Sequence, residues 1–168
     1  RIDRLAEQAR GGAETSITIK VNALIDPEMI ATLDRAAEVG VSVDLIVRGM
    51  CGLLPNPARQ GDRLRIRSVI GDYLEHSRVY RFAGPDSVEL FAGSADLMER
   101  NLDRRVEVLF PLDDREVRRK VEEILAALLS DTSNAWELQP DGAWERLSDT
   151  GVSSFETLRQ VALNASQA

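Results

Sequence analysis

The sequence is poor in several residue types on which whole classes of protein depend. It has a single cysteine, Cys51, which excludes an internal disulfide and a cysteine-based zinc cluster. No apolar run approaches the roughly 20 residues that a membrane-spanning helix needs. The opening stretch Arg1-Ile2-Asp3-Arg4 lacks the apolar core of a signal peptide and an initiator methionine. We therefore expect a cytoplasmic chain that begins inside a longer protein.

Lysine is also scarce, since only Lys20 and Lys120 occur among 21 basic residues. The net charge of −7 argues against broad, nonspecific attraction to nucleic acid or anionic lipid. The charge is uneven, however, because residues 46–105 carry ten arginines against eight acidic residues. This weakly cationic middle predicts a local site for a compact polyanion, and the planar guanidinium suits phosphate oxygens. A compositional bias of the source genome would explain the excess of arginine equally well.

The first third of the chain has the pattern of a β-α-β unit. Residues 1–10 show helical spacing of apolar positions, and the β-branched, alternating run 16–21 predicts a strand. Asp26 and Pro27 predict the start of a helix that Gly40 ends, because Asp caps helix N-termini and Pro fits the first turn. Residues 43–47 predict a second strand, which should be parallel to the first.

The remainder predicts a mixed α/β fold. We expect a loop over 55–62, a long helix capped by Asp113 and running to Leu129, a hairpin over 136–147, and a last helix capped by Ser153 or Ser154. Further strands are predicted over 64–69, 78–82, 88–92 and 105–109. The predicted fold is a mixed sheet flanked by helices. Residues 1–15 are interpreted as a linker or helix from a preceding domain, and 16–168 as one domain.

The only histidine, His76, has unusual neighbours. If residues 76 and 78 lie in a strand, His76 and Arg78 project from the same face, which places a proton-transfer group beside a fixed cation. About one strand later come Gly93 and Ser94, and then Asn101, whose small or hydrogen-bonding groups suit phosphate oxygens. This pattern resembles the phospholipase D superfamily. Arg78 replaces the usual lysine of that motif, and Ala83 stands where its aspartate would fall.

A longer resemblance is to the polyphosphate kinase family, and it runs from about Lys20 to Trp144. It rests on several independent blocks that agree in one register, namely residues 20–24, 44–51, 74–78, 93–102 and 104–108, with Asp131 and Trp136. The sequence departs from the family pattern at Asp72, where a basic residue is common, and in the loop 59–63. Both departures lie beside the expected site and would change its local charge.

This resemblance implies a phospholipase D-like C-terminal catalytic domain of a four-domain, homo-oligomeric enzyme. The implied activity is the reversible transfer of the terminal phosphate of ATP to inorganic polyphosphate, with ADP as the other nucleotide. The histidine that carries the covalent phosphate would belong to the preceding, third domain. His76 would be the second active-site histidine, for nucleotide contact and proton transfer, and Arg48 would belong to the nucleotide site. Mg²⁺ would be held by the domains outside this sequence, and we expect no metal ligands within it.

The candidate site residues carry alternatives. Arg48 could be a surface arginine paired to an acid, Arg100 could pair with Asp96 or Asp103, and Asn22 could merely end a strand. Arg104 and Arg105 would point in opposite directions in a strand, so at most one would face the site. The full candidate set for nucleotide and phosphate contact is Asn22, Arg48, His76, Arg78, Ser94, Arg100, Asn101 and Arg105, with Arg104 as a further possibility.

Two other functions fit the same residues. One is a polyanion-binding or assembly module in which His76 has no chemical role, and the other is a phospholipase D-type phosphodiesterase. The catalytic hypothesis predicts that His76, Arg48 and at least one further arginine converge on a single open cleft. Cys51 and the two tryptophans are interpreted as packing residues.

Overall fold

The computed structural model describes residues 1–148 and 150–165, so the predicted domain end at residue 168 lies outside the described residues. Six helices and eight strands are found there. The helices are α1 (Ile2–Arg10), α2 (Pro27–Glu38), α3 (Pro57–Gln60), α4 (Glu99–Arg104), α5 (Arg115–Ser130) and α6 (Ser154–Ala165). The strands are β1 (Ser16–Val21), β2 (Ser42–Val47), β3 (Leu64–Val69), β4 (Arg78–Ala83), β5 (Val88–Gly93), β6 (Leu109–Pro111), β7 (Ala135–Leu138) and β8 (Trp144–Arg146).

All eight strands form one mixed sheet in the order β6-β5-β4-β1-β2-β3-β7-β8. The pairs β1–β2 and β2–β3 are parallel, and every other pair is antiparallel. The parallel β1-α2-β2 unit and the β7–β8 hairpin are both confirmed, and so is the mixed sheet flanked by helices.

Each face of the sheet is covered by its own apolar core. On one face, the alternate residues Ile17, Ile19 and Val21 of β1 pack with Leu5 of α1 and Leu33 of α2. On the other face, a smaller core joins strand residues to α5 and α6 through Ile46, Val79, Leu125, Leu128 and Phe155. Leu5 is fully buried, so α1 contributes to the core of this domain, whatever the boundary placed at residue 15. None of the helices within the described ranges is long and apolar enough to cross a bilayer.

Carboxylate caps fix where the helices begin. Asp26 accepts a hydrogen bond from the Met29 amide at 2.9 Å, and Pro27 fills the first turn of α2, as predicted. Helix α5 is capped by Asp114 rather than by Asp113 as predicted, because Asp114 accepts from the amides of Glu116 and Val117. The predicted loop over 55–62 contains the single-turn helix α3 followed by a short 3-10 turn.

The prediction of a strand over 105–109 is wrong. Residues 105–108 run outside regular structure, and β6 begins only at Leu109. The alternation of residues 105–108 is typical of a half-buried strand, yet Val106 is 99% exposed. Its side chain packs against no core, and such packing is what stabilises a strand of this pattern. The argument that Arg104 and Arg105 point in opposite directions along a strand falls with it, because Arg104 ends α4 and Arg105 follows that helix.

A buried carboxylate attaches α6 to the sheet. Asp131 is fully buried and accepts hydrogen bonds from the Ser154 amide at 2.7 Å and the Ser154 hydroxyl at 2.6 Å. It also accepts from the amide of Asn134 at 2.7 Å. Burial opposes ionisation of Asp131, but these hydrogen bonds outweigh it and lower the pKa of the carboxyl. The ring of Phe155 in α6 is thereby held against the sheet.

Candidate functional site

Four strand ends bring the predicted site residues to one end of the sheet. Strands β1 and β2 are parallel and end there, β4 is antiparallel to β1 and begins there, and β5 ends there. We call this the site end, and it is marked by Asn22, Arg48, Arg78 and Ser94. The carboxyl ends of parallel strands are where open α/β sheets commonly bind ligands.

Asp96 holds two of these strand ends together. It is buried and accepts from Arg78 through two nitrogens, Nε at 3.1 Å and Nη2 at 2.8 Å. It also accepts from the backbone amide of Asn22 at 2.6 Å and from its side-chain amide at 3.3 Å. Burial alone would raise the pKa of Asp96, but the hydrogen bonds from Arg78 and Asn22 outweigh it and lower the pKa. The guanidinium of Arg78 is therefore fixed in place by a carboxylate whose ionised form is favoured.

Arg48 follows β2 directly and has no such anion. Its amide donates to the Val21 carbonyl at 3.2 Å, and its carbonyl accepts from the Ser68 hydroxyl at 3.1 Å. Its Nη1 is buried without a hydrogen-bond partner among the described residues. No ion pair joins Arg48 to an acidic side chain in that part of the chain. The backbone is anchored, and the partly exposed guanidinium is left without a counter-ion among the described residues.

Gly49, the residue after Arg48, allows a close contact between two strand ends. Its amide donates to the Asn22 carbonyl at 2.9 Å. A Cβ at Gly49 would lie 2.8 Å from that same oxygen, which is too close. The missing side chain lets the ends of β1 and β2 approach each other, which sets the spacing of Asn22 and Arg48.

His76 lies in an extended segment two residues before β4, and its side chain is exposed. The prediction that His76 and Arg78 share one strand face is wrong, because β4 begins at Arg78. The two residues are linked in another way, since Arg78 Nη1 donates to the His76 carbonyl at 3.1 Å. Arg78 thus joins the backbone of His76 to Asp96.

Lys20 is a charged residue of this region that the sequence interpretation missed. Its side chain is almost fully buried, and Nζ donates to the Ser77 carbonyl at 3.0 Å and lies 3.4 Å from a Glu75 carboxylate oxygen. Lys20, Arg48 and Glu75 line one small cavity, together with apolar residues of the α5 side. The residues on either side of His76 therefore contact the buried lysine.

Two predicted donors beside β5 and in α4, Ser94 and Asn101, are already hydrogen-bonded within the domain. The Ser94 hydroxyl and the Asn101 side-chain amide both donate to the carboxylate of Glu107, and Arg105 lies 3.9 Å from it. The Ser94 and Asn101 hydrogen bonds lower the pKa of Glu107. Glu107 was not among the predicted site residues, although it is the only acid within the 104–108 block that carried the family resemblance.

The remaining predicted arginines are exposed on or beside α4. Arg104 pairs with Glu99. The alternative pairing of Arg100 with Asp96 is wrong, because Asp96 is taken by Arg78 and Asn22. Arg100 projects from the second position of α4 into solvent. Of the candidate cations, Arg48 and Arg78 are the two that stand directly at strand ends of the site end.

Among the described residues, the carboxylates of this region do not form a metal centre. Asp96 is engaged by Arg78 and Asn22, Glu107 by Ser94 and Asn101, and Glu75 by Lys20. Over residues 1–148 and 150–165, no group of three or more His, Cys, Asp or Glu could hold a metal ion. The residues present therefore do not fit a resident Mg²⁺ site.

The family model for the C-terminal domain 2 of polyphosphate kinase matches residues 1–157. The chain belongs to this family. A polyphosphate kinase from Pseudomonas aeruginosa is 45% identical over 150 residues, which are 89% of this chain and 22% of that protein. The chain thus spans about a fifth of the length of the curated relatives that it matches.

Solved structures place this polyphosphate kinase domain in the predicted fold. The crystal structure of polyphosphate kinase from Porphyromonas gingivalis superposes with a TM-score of 0.88 at 32% identity, covering 99% of this chain and 26% of that one. Nuc, a phospholipase D family member from Salmonella typhimurium, has a TM-score of 0.56 at 15% identity, over 82% of this chain and 90% of that one. The phospholipase D-like fold is confirmed, and at that identity the second likeness concerns the fold alone.

Proposed function

We propose that this domain supplies the nucleotide- and phosphate-contacting half of a polyphosphate kinase active site. The reaction would be the reversible transfer of the terminal phosphate of ATP to inorganic polyphosphate. Family membership supports it, and the observation that carries it is Arg48, a partly exposed cation at the site end with an anchored backbone and no acidic partner among the described residues. A guanidinium without a counter-ion calls for an acceptor, and a phosphate oxygen is a matching one.

The site residues would act by binding and by electrostatics, with one proton transfer. In phosphoryl transfer the protein mainly positions groups and offsets developing charge. Arg48 would contact the phosphates directly, and Arg78, already held by Asp96, would supply fixed positive charge beside them. His76 is exposed at the same end and would donate or accept a proton near neutral pH.

The proposal also assigns tasks to parts of the enzyme outside this chain. We propose that the histidine carrying the covalent phosphate lies in a preceding domain, and that the isolated chain therefore forms no stable phosphohistidine from ATP. Any Mg²⁺ that accompanies ATP would be held by groups outside the described residues. We also propose a homo-oligomeric, cytoplasmic enzyme, on the strength of the family resemblance and the single cysteine.

Replacing His76 with Gln in a full-length enzyme that carries this domain tests the proposal. General acid–base catalysis contributes about 100- to 10,000-fold, so we expect kcat for polyphosphate synthesis to fall within that range. The control is Lys120→Gln, a change at an exposed residue of α5 that pairs with Glu116, which should leave kcat within about twofold. Wild-type kcat in the His76→Gln enzyme would instead support a polyanion-binding module, and phosphodiesterase activity of the wild-type enzyme towards DNA or phospholipid would support the third hypothesis.

A further inference from the structure

Lys20 is buried at a position where its charge is costly. Its side chain is 4% exposed, and it lines a small cavity together with the apolar residues Ile46, Val69 and Leu128. Burial lowers the pKa of Lys20, Glu75 opposes that effect, and the nearby charges of Arg48 and Arg78 add to the lowering. Replacing a buried ion pair by apolar groups of similar size is often neutral or stabilising. Stability alone therefore does not account for a lysine here.

What Lys20 contacts is the segment that carries His76. Its Nζ donates to the Ser77 carbonyl at 3.0 Å, one residue after His76. It lies 3.4 Å from Glu75, one residue before His76. The strand register also places the Lys20 backbone opposite Val79, at the start of β4. Lys20 thus joins a rigid central strand to both neighbours of an exposed histidine that has no side-chain partner of its own among the hydrogen bonds of the described residues.

The same segment is anchored upstream by a different kind of contact. The ring of Tyr73 lies 6.1 Å from that of Phe155 in α6, and a side chain at Gly71 would overlap the Phe155 ring. Between this apolar anchor and β4, the polar contacts of Lys20 and the Arg78–His76 hydrogen bond are what fix the backbone. Loss of Lys20 would loosen residues 74–77, which would then be held by the Arg78–His76 hydrogen bond and by the attachments at both ends.

We propose that Lys20 is a positioning residue for His76, which it holds in place through the Ser77 carbonyl, with Glu75 as its counter-charge. The proposal rests on the proposed function insofar as it assigns a catalytic task to His76. A misplacement of about 1 Å in a reacting group can cost on the order of 100-fold in rate. Small freedom in this segment would therefore be felt in catalysis before it is felt in stability.

The test replaces Lys20 with Met in the full-length enzyme. We expect kcat to fall roughly 10- to 100-fold with little change in KM for ATP, and amide hydrogen exchange to rise in peptides covering residues 74–78. The matched control is Arg67→Met, because Arg67 is also a buried cation on the α5 side, but it donates to the Leu129 carbonyl in α5. It should lower the melting temperature and leave exchange over residues 74–78 unchanged.

A second variant separates positioning from charge balance. In Lys20→Met with Glu75→Gln, no carboxylate is left unpaired, yet the Ser77 carbonyl still lacks its donor. We expect kcat to stay low in this double variant, and recovery to wild-type kcat would overturn the proposal. Unchanged exchange over residues 74–78 in Lys20→Met would overturn it too. If His76→Gln itself retains full activity, the proposed function fails, whereas the exchange experiment still decides whether Lys20 holds the segment.

Discussion

The two halves of the site end treat their polar groups in opposite ways. At the ends of β1 and β2, Arg48 Nη1 and Asn22 Oδ1 are buried without hydrogen-bond partners among the described residues. Beside β5 and α4, Ser94 and Asn101 have both donated to Glu107. The first half leaves a donor and an acceptor unpaired by the described residues, and in the second half the donors are paired with the carboxylate of Glu107. All four residues were predicted as site residues from their type, and residue type alone does not show which of them are already paired within the domain.

The sharpest way to probe this difference is Arg48→Lys in the full-length enzyme. Lysine keeps the charge but has no planar fork for two phosphate oxygens, so we expect kcat to fall on the order of 100-fold, with weaker ATP binding. Arg119→Lys is the control, because Arg119 is exposed on α5, pairs with Glu123 and lies outside the candidate set. Steady-state kinetics and a thermal melt on the same preparation check the prediction. Normal kinetics with a lowered melting temperature would make Arg48 structural.

Asp96→Asn should weaken the connection between the ends of β1 and β4. Asp96 binds the Arg78 guanidinium and the Asn22 amide, and the substitution leaves Arg78 partly buried without its anion, so we expect a loss of about 1 to 3 kcal/mol in the free energy of unfolding.

The pH dependence of stability gives this prediction a second readout. The folded-state pKa of Asp96 is lowered, so its contribution is fully present above the unfolded value of about 4 and is lost as pH falls through the folded value. Chemical denaturation between pH 3 and 7 should show the Asp96→Asn difference shrinking towards acid. A difference that is constant across this range would mean that the carboxylate is not held as described.

Glu107→Gln should make the donors of the second half more available, as in the first half. It removes a negative charge beside Arg105 and leaves the Ser94 and Asn101 donors with a neutral acceptor. We expect a twofold to fivefold tighter binding of inorganic polyphosphate, the size of effect that an exposed charge pair supports. Titration at two salt concentrations measures it, and Ser94→Ala, which removes a donor and keeps Glu107, should not tighten binding. Weaker binding in Glu107→Gln would show that the carboxylate holds the phosphate donors in place.

Much of this fold could be predicted from local signals. Asp26 and Pro27 mark the start of α2 because capping and proline geometry act over a few residues, and the β-branched runs mark β1 and β2. The site was predicted less completely. His76 and Arg48 stand out by type and position, but the partners of Arg78 and Arg100 depend on how the loop after β5 folds back. Lys20 was missed because it acts through a contact with Glu75, 55 residues along the chain. Glu107 was missed because its contact with Asn101 depends on the irregular path of the chain after α4, which sequence periodicity does not predict.

The order of strands in the sheet has a kinetic consequence. Lys20 pairs with Val79 across about 60 residues of intervening chain, and closing such non-local contacts slows folding. Both tryptophans, by contrast, lie in the β7–β8 hairpin at one edge, where Trp136 and Trp144 are joined by a short turn. Trp136 also lies opposite Ser68 of β3, and Trp144 packs against the larger core. Tryptophan fluorescence during refolding therefore reports docking of the hairpin on the sheet, and its recovery is expected to accompany assembly of the site end, since both need distant segments to meet.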